Sequence, residues 1–193
     1  MTDQLKHLQT FRSFANLNGA PQLIVDACEY ELNWQCERIV NCLEQLSDDQ
    51  IWSRPLTCDG QDVGLNRIGD LVRHLDGNLS QWTHYGLGGD IRFRDRKRDL
   101  EFQELRTHTR EELIDLIQKS TQSVLATIQH ATDADWGRIH HVQSRYASGV
   151  GAILHTMMHL YGHTQEVISL TRRILGNDYR FHQDYSESGE LKK

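Results

Sequence analysis

Proline is scarce in this chain of 193 residues, which contains only Pro21 and Pro55. A proline interrupts a helix because it has no backbone N–H and its ring clashes with the preceding turn. Between residues 56 and 193 the chain contains no proline, so long uninterrupted helices are permitted there. This scarcity favours a protein built from long helices.

Other features are missing, and each absence excludes a class of protein. The sequence contains no run of about 20 apolar residues, the length that a membrane-spanning helix needs. Its first residues also lack the order of a signal peptide, in which basic residues precede an apolar stretch. Acidic residues outnumber basic ones by 27 to 21, which argues against a nucleic-acid-binding face. We therefore expect a cytoplasmic protein with no nucleic-acid or membrane partner. Its cysteines, which form no Cys-x-x-Cys pair, are expected to be reduced thiols of the core: Cys28, Cys36, Cys42 and Cys58.

Four stretches show the apolar spacing of amphipathic helices. They cover residues 21–46, residues 66–85, a segment that begins with a capping box at Thr109, and residues 146–175. No alternating strand pattern is present. The sequence thus predicts an all-α fold, an antiparallel four-helix bundle with a longer connection between helices two and three.

The whole chain, residues 1–193, is expected to form this one domain, since its length fits a single domain. Residues 1–19 would be an N-terminal arm with a short helix from Leu5 to Phe14, and residues 177–193 would be a polar tail.

Eleven histidines are present, and three of them form a row on the fourth helix: His155, His159 and His163. Residues four apart on a helix are neighbours on one face, so two adjacent imidazoles can bind one ion. The outer two are about 12 Å apart at ~1.5 Å rise per residue, too far for one metal. One ion could therefore be bound by only one of the two adjacent pairs, His155/His159 or His159/His163. His159 belongs to both pairs. On the second helix, His74 and His84 are the candidates for a third ligand.

Several enzyme signatures are excluded. The row has no glutamate after its first histidine, so it is not the His-Glu-x-x-His motif of zinc proteases. No Glu-x-x-His motif of di-iron bundles, no Walker loop and no Gly-x-Ser-x-Gly motif occurs. Two interpretations of the row remain: a histidine metal site in a helical bundle, or a polar seam that arises by chance in a histidine-rich chain.

The chain resembles the DinB-like superfamily, metal-binding four-helix bundles that include bacillithiol- and mycothiol-dependent S-transferases. The resemblance covers nearly the whole chain, and two further segments resemble an uncharacterised subgroup of it. The resemblance to the superfamily is carried by the segment Leu-Ser-Asp-Asp-Gln-Ile-Trp-x-Arg-Pro at 46–55, by His74, and by His159-x-x-x-His163 followed by Gln165 and Val167. The resemblance to the subgroup is carried by His74-Leu-Asp-Gly77-Asn78 and by residues Arg94 to Phe102.

The resemblance implies a divalent metal, zinc or nickel, held by His74, His159 and His163. Spacing alone leaves the choice between the two histidine pairs open; the family pattern selects the second pair and leaves His155 as a neighbour. Three neutral imidazoles leave coordination positions open, as in catalytic sites. A bound water or thiol would be strongly acidified there.

We therefore expect a metal-dependent thiol S-transferase or hydrolase that acts on a small electrophilic molecule, with a low-molecular-weight thiol as cosubstrate in the first case. Glu166, three residues after His163, is the candidate catalytic residue, as a base or to orient a ligand. Asp70 and Asn78 are candidate hydrogen-bond partners of the metal ligands. The alternative is a non-enzymatic metal-binding protein or a dimeric scaffold with a vestigial site; in either case a homodimer is expected.

Five cations lie within the seven residues from Arg92 to Arg98. One interpretation is that they bind an anionic cosubstrate, since arginine binds carboxylates with two hydrogen bonds. The other is a solvated connector whose cations pair with Asp95, Asp99 and Glu101, or an oligomer contact.

Overall fold

Helices dominate the part of the protein that the computed structural model describes, which comprises residues 20–56, 59–62, 64–102 and 107–180. The all-α prediction is confirmed, and α1, α3, α4 and α6 are the four long helices. In chain order the helices are α1 (Ala20–Glu44), α2 (Asp48–Ile51), α3 (Ile68–Ser80), α4 (Arg110–Gln129), α5 (Asp133–Gly137) and α6 (Gly149–Leu175).

Local sequence signals explain several helix boundaries. Ser47 and Gln50 form a capping box at the start of α2, and Thr109 and Glu112 form another at the start of α4. α3 continues into one π-helical turn, Gln81–Tyr85, which ends before the glycines at 86–89. The sequence signals for these ends were therefore correct.

Each long helix packs against two of the others. α1 is antiparallel to α4, and α3 is antiparallel to α6. The long connection allows α3 and α4 to run in the same direction, which a short loop could not do. α1 and α6 are parallel as well. Two contacts define the direction of each pair. For the antiparallel pairs they are Glu29–Gln129 and Cys36–Thr121 between α1 and α4, and His74–His159 and Thr83–Thr156 between α3 and its π-helical turn and α6. For the parallel pairs they are Asp76–Ser120 and His84–Thr127 between α3 with its turn and α4, and Arg38–Gln165 and Cys42–Thr171 between α1 and α6.

A β-hairpin precedes α6, and the sequence reading missed it. Strands β1 (Ile139–Val142) and β2 (Arg145–Ser148) are antiparallel, with Ile139 opposite Ser148. The prediction that the fourth helix begins near residue 146 was wrong, because residues 145–148 are strand. Ser148 then caps α6, its side chain accepting from the backbone N–H of Gly151 at 3.1 Å. Neither strand sequence, Ile-His-His-Val or Arg-Tyr-Ala-Ser, alternates between apolar and polar residues, so the pattern of a strand is absent.

The apolar faces of the long helices meet in one core. Cys28, Cys36 and Cys42 are free and buried in it, as expected, and burial raises the pKa of the Cys28 thiol to about 11. Cys58, the expected helix at 5–14 and the tail beyond residue 180 lie outside the described residues. Within the described ranges, no helix is long and apolar enough to cross a membrane.

Candidate metal centre

The antiparallel pair α3 and α6 brings three predicted ligands together. One ring nitrogen from each of His74, His159 and His163 lies within 4.8 Å of the other two. The Nε2 atoms of His74 and His159 are 2.9 Å apart. Bonds of about 2.0–2.1 Å place neighbouring ligand nitrogens about 3.3 Å apart around a tetrahedral ion. Small side-chain rotations would thus fit the three imidazoles around one divalent ion.

Carboxylates hold the opposite ring nitrogens of two of these histidines. Nδ1 of His74 lies 3.0 Å from Oε2 of Glu101. Nδ1 of His163 lies 2.8 Å from Oε2 of Glu166. When Nδ1–H donates to a carboxylate, the Nε2 lone pair is left for a metal, and the ring is held in one orientation.

Arg96 completes the environment of His74. Its guanidinium donates to Glu101 and, at 2.9 Å, to the backbone carbonyl of His74. Its Nη2 also lies 3.0 Å from Nδ1 of His74. Since those guanidinium donors already have oxygen acceptors, we assign the Nδ1 hydrogen to the bond with Glu101.

Two of the three histidines, His74 and His159, are in an environment that favours neutral imidazole. Burial lowers the pKa of His74. Burial, and then the neighbouring His163 and His74, lower the pKa of His159 to about 3. A metal binds the neutral form of imidazole, so the rings of His74 and His159 can bind an ion without first losing a proton at neutral pH.

His155 lies next to this cluster and has other partners. Its ring stacks on His159, with centroids 5.4 Å apart, and contacts Trp82 at 3.9 Å. Its Nδ1 accepts from Nη2 of Arg145 at 2.7 Å, and the guanidinium of Arg145 lies over Trp82 at 4.8 Å. Burial, and then Arg145, lower the pKa of His155 to about 4. The group of potential ligands in the described residues does not include it.

Two residues expected beside the ligands have other environments. Asp70 forms a buried ion pair with Arg67, with Oδ2 2.6 Å from Nε. Asn78 is buried one turn after His74, and its Oδ1 has no hydrogen-bond partner among the described residues. Asn78 therefore has an unused acceptor on α3, one turn after His74, whereas Asp70 is paired with Arg67.

The basic segment pairs mostly with neighbouring carboxylates. Arg92 pairs with Asp90, Arg94 with Asp95, and Arg96 with Glu101. Two of these partners, Asp95 and Glu101, were expected under the connector interpretation, and Asp90 was not. The structure favours that interpretation for these three arginines.

Sequence reasoning missed the roles of Glu101, Arg96 and Arg145. Glu101 is 27 residues from His74, and no helical spacing relates them. The one signal was indirect, since both residues fall in segments that resemble one subgroup of the DinB-like superfamily.

Comparisons with known proteins agree with the fold. The family described as "Protein of unknown function (DUF1572)" matches residues 23–183. A crystal structure of a histidine-to-alanine mutant of the mycothiol-dependent maleylpyruvate isomerase is similar in fold, with a TM-score of 0.58 and 11% identity over 74% of this chain. The chain spans 60% of that protein. A search of curated proteins found no match.

Proposed function

Since the chain belongs to the DUF1572 family and has a DinB-like fold, we propose that it is a metal-dependent enzyme that transfers a thiol to a small electrophile. The observation that carries the proposal is the trio of ring nitrogens from His74, His159 and His163, within 4.8 Å of one another. The structurally similar isomerase depends on mycothiol by its name, which supports a thiol cosubstrate here.

An enzyme needs open coordination positions, and the donor set supports them. In the described part of the chain, the group of potential ligands around the site contains three histidines and no fourth donor. Catalytic zinc sites have three protein ligands, whereas structural sites are closed by four. A zinc or nickel ion there would make a bound thiol or water more acidic and so a better nucleophile at neutral pH.

The protein's own residues have distinct parts in this reaction. Glu101 and Glu166 hold the rings of His74 and His163 through Nδ1. Glu166 therefore acts on the proposed metal through His163, which supports the orienting role over that of a base. Asn78, buried one turn after His74 on α3, is a candidate hydrogen-bond partner because its Oδ1 is unused in the described residues. The thiolate sulfur would attack the electrophilic carbon, the leaving group would depart with its bonding electrons, and the thiol proton would go to solvent.

The first experiment tests the site. Protein purified without added metal is analysed for metal content as wild type, His159→Ala and His141→Ala, the last being an exposed histidine outside the cluster. We expect one metal per chain in the wild type and in His141→Ala, and less than a tenth of that in His159→Ala. Equal metal in all three proteins would overturn the ligand assignment.

The second experiment tests the reaction. The metal-loaded protein is incubated with a chromogenic electrophilic substrate and each of a panel of cellular thiols. The rate of thiol transfer with each thiol is compared with that of His159→Ala. Turnover that needs one thiol supports the transferase. Turnover of an ester or amide without any thiol would instead identify a hydrolase, which the same open site would also serve. Stoichiometric metal with neither activity would favour the non-enzymatic alternative.

A homodimer is the remaining part of the proposal. Leu154, Met158 and Tyr161 lie at i, i+4 and i+7 on α6 and are 59%, 75% and 54% exposed. Such an apolar stripe favours contact with another protein surface. Light scattering on the wild type and on Met158→Glu tests it: a monomeric wild type would contradict the dimer.

A further inference from the structure

The long connection between α3 and α4 carries a buried ion pair beside the candidate metal centre. The side chains of Arg96 and Glu101 are 8% and 12% exposed. Removing both charges from water costs free energy that their attraction often fails to recover, so a buried pair is weak evidence for a role in stability. The reason for this pair is better sought in its partners.

The pair makes contact with a ligand histidine at two points. Glu101 accepts from Nδ1 of His74 at 3.0 Å, and Arg96 donates to the backbone carbonyl of the same residue at 2.9 Å. The ring of Phe102 lies 4.9 Å from that of His74. One side of His74 is thus covered by the connection, while its Nε2 is directed towards His159.

Gly77 makes room for this pair. A Cβ atom at this position would lie 2.7 Å from Nε of Arg96 and still closer to Oε1 of Glu101. Glycine therefore permits the close approach of the two charged side chains to α3, and a Cβ here would displace them from these positions. Gly77 lies on α3 three residues after His74, whereas the two charged residues lie on the connection that follows α3.

We propose that Arg96 and Glu101 are positioning residues for His74, holding it as the Nδ1–H tautomer with Nε2 turned to the shared ligand position. The inference rests on the proposed function, because a metal needs the lone pair on Nε2. By this proposal, the connection between α3 and α4 increases metal affinity through Arg96 and Glu101, in addition to packing against α3. Carboxylates that orient ligand histidines typically contribute about 10–100-fold to metal affinity.

The test compares Glu101→Ala and Glu101→Gln with Asp95→Asn, which removes an exposed carboxylate from the same connection. Zinc affinity is measured by competition with a chelator. We expect Glu101→Ala to weaken binding about 10–100-fold. Glu101→Gln, whose amide oxygen still accepts from Nδ1, should lose less, and Asp95→Asn should match the wild type. Equal zinc affinity in all four proteins would overturn the positioning role.

A second measurement separates this inference from the proposed function. Long-range ¹H–¹⁵N spectra of the metal-free protein report which ring nitrogen of His74 carries the hydrogen. We expect Nδ1–H in the wild type and a mixture of tautomers in Glu101→Ala, with partial rescue in Glu101→Gln. A wild type that binds no metal but shows this dependence would refute the proposed function and leave the positioning role intact. An unchanged tautomer in Glu101→Ala would refute the positioning role whether or not metal binds.

Discussion

Two buried histidines of the same helical segment have different surroundings. His74 lies in α3, and His84 lies ten residues later in the π-helical turn. Both are less than 9% exposed, and burial lowers the pKa of both. At 3.6 residues per turn, ten residues place them roughly 80° apart around a regular helix, so they contact different neighbouring helices.

Their partners account for the difference in chemistry. Nδ1 of His84 contacts the hydroxyl of Thr127 at 2.7 Å, and its Nε2 contacts that of Ser123 at 3.2 Å. Both ring nitrogens are thus satisfied by neutral groups of α4. His74 instead has a carboxylate on one nitrogen and an imidazole on the other. Burial and a lowered pKa alone therefore do not identify a metal ligand; the partners on the facing helix do.

The largest expected effect separates the two histidines by metal affinity. His74→Ala should lower zinc affinity by at least about a hundredfold, because about 10–16 kcal/mol of binding free energy shared among the four ligands of a structural zinc site is roughly 3 kcal/mol for each ligand. His84→Ala should leave zinc affinity unchanged. Chelator competition measures both. A loss of similar size in the two variants would remove the distinction.

The next effect is on the stability of the metal-free protein and concerns His84. His84→Ala leaves the hydroxyls of Ser123 and Thr127 without their partner and removes the ring that packs on Phe93, 4.4 Å away. We expect a loss of about 1–3 kcal/mol in the free energy of unfolding. Urea denaturation measures it, with the exposed His130→Ala expected within about 0.5 kcal/mol of the wild type.

A smaller effect is the pH dependence that both regions share. The pKa values of His74 and His84 are lower in the folded than in the unfolded protein, so the unfolded state binds more protons than the folded state as the pH falls below about 6.5. The free energy of unfolding of the metal-free protein should therefore decrease between pH 6.5 and pH 4. His159, with a pKa of about 3, contributes to this slope throughout the window. Denaturation of His159→Gln at several pH values should show a flatter dependence than the wild type, and an unchanged slope would contradict this.

The smallest expected effect concerns His155. Its Nδ1 accepts from Arg145 and its ring packs on Trp82, so it lies beside the proposed ligands without belonging to their group. His155→Ala should change zinc affinity less than about threefold, in contrast to His74→Ala, since no coordinate bond is lost. A hundredfold loss in the same chelator competition would show that the ion is bound by the other histidine pair.

Several of these features could be predicted from the chain because they depend on near neighbours. Helical spacing and the capping boxes at Ser47 and Thr109 depend on residues up to four apart, and they were correct. The hairpin at 139–148 was missed because its two strands do not alternate between apolar and polar residues. Spacing reduced the row on α6 to two pairs, and the resemblance to the DinB-like superfamily selected one of them and His74 as the third candidate. That these residues bind metal stays a prediction.

Scarce proline and apolar periodicity were enough to specify long helices and an all-α fold, because helix formation is governed by local contacts. The partners of each histidine were decided by tertiary structure. Glu101 reaches His74 across 27 residues because the long connection folds back over α3, where Gly77 leaves space for it. Helical spacing alone does not distinguish His74 from His84, and their partners differ because each is turned towards a different neighbouring helix.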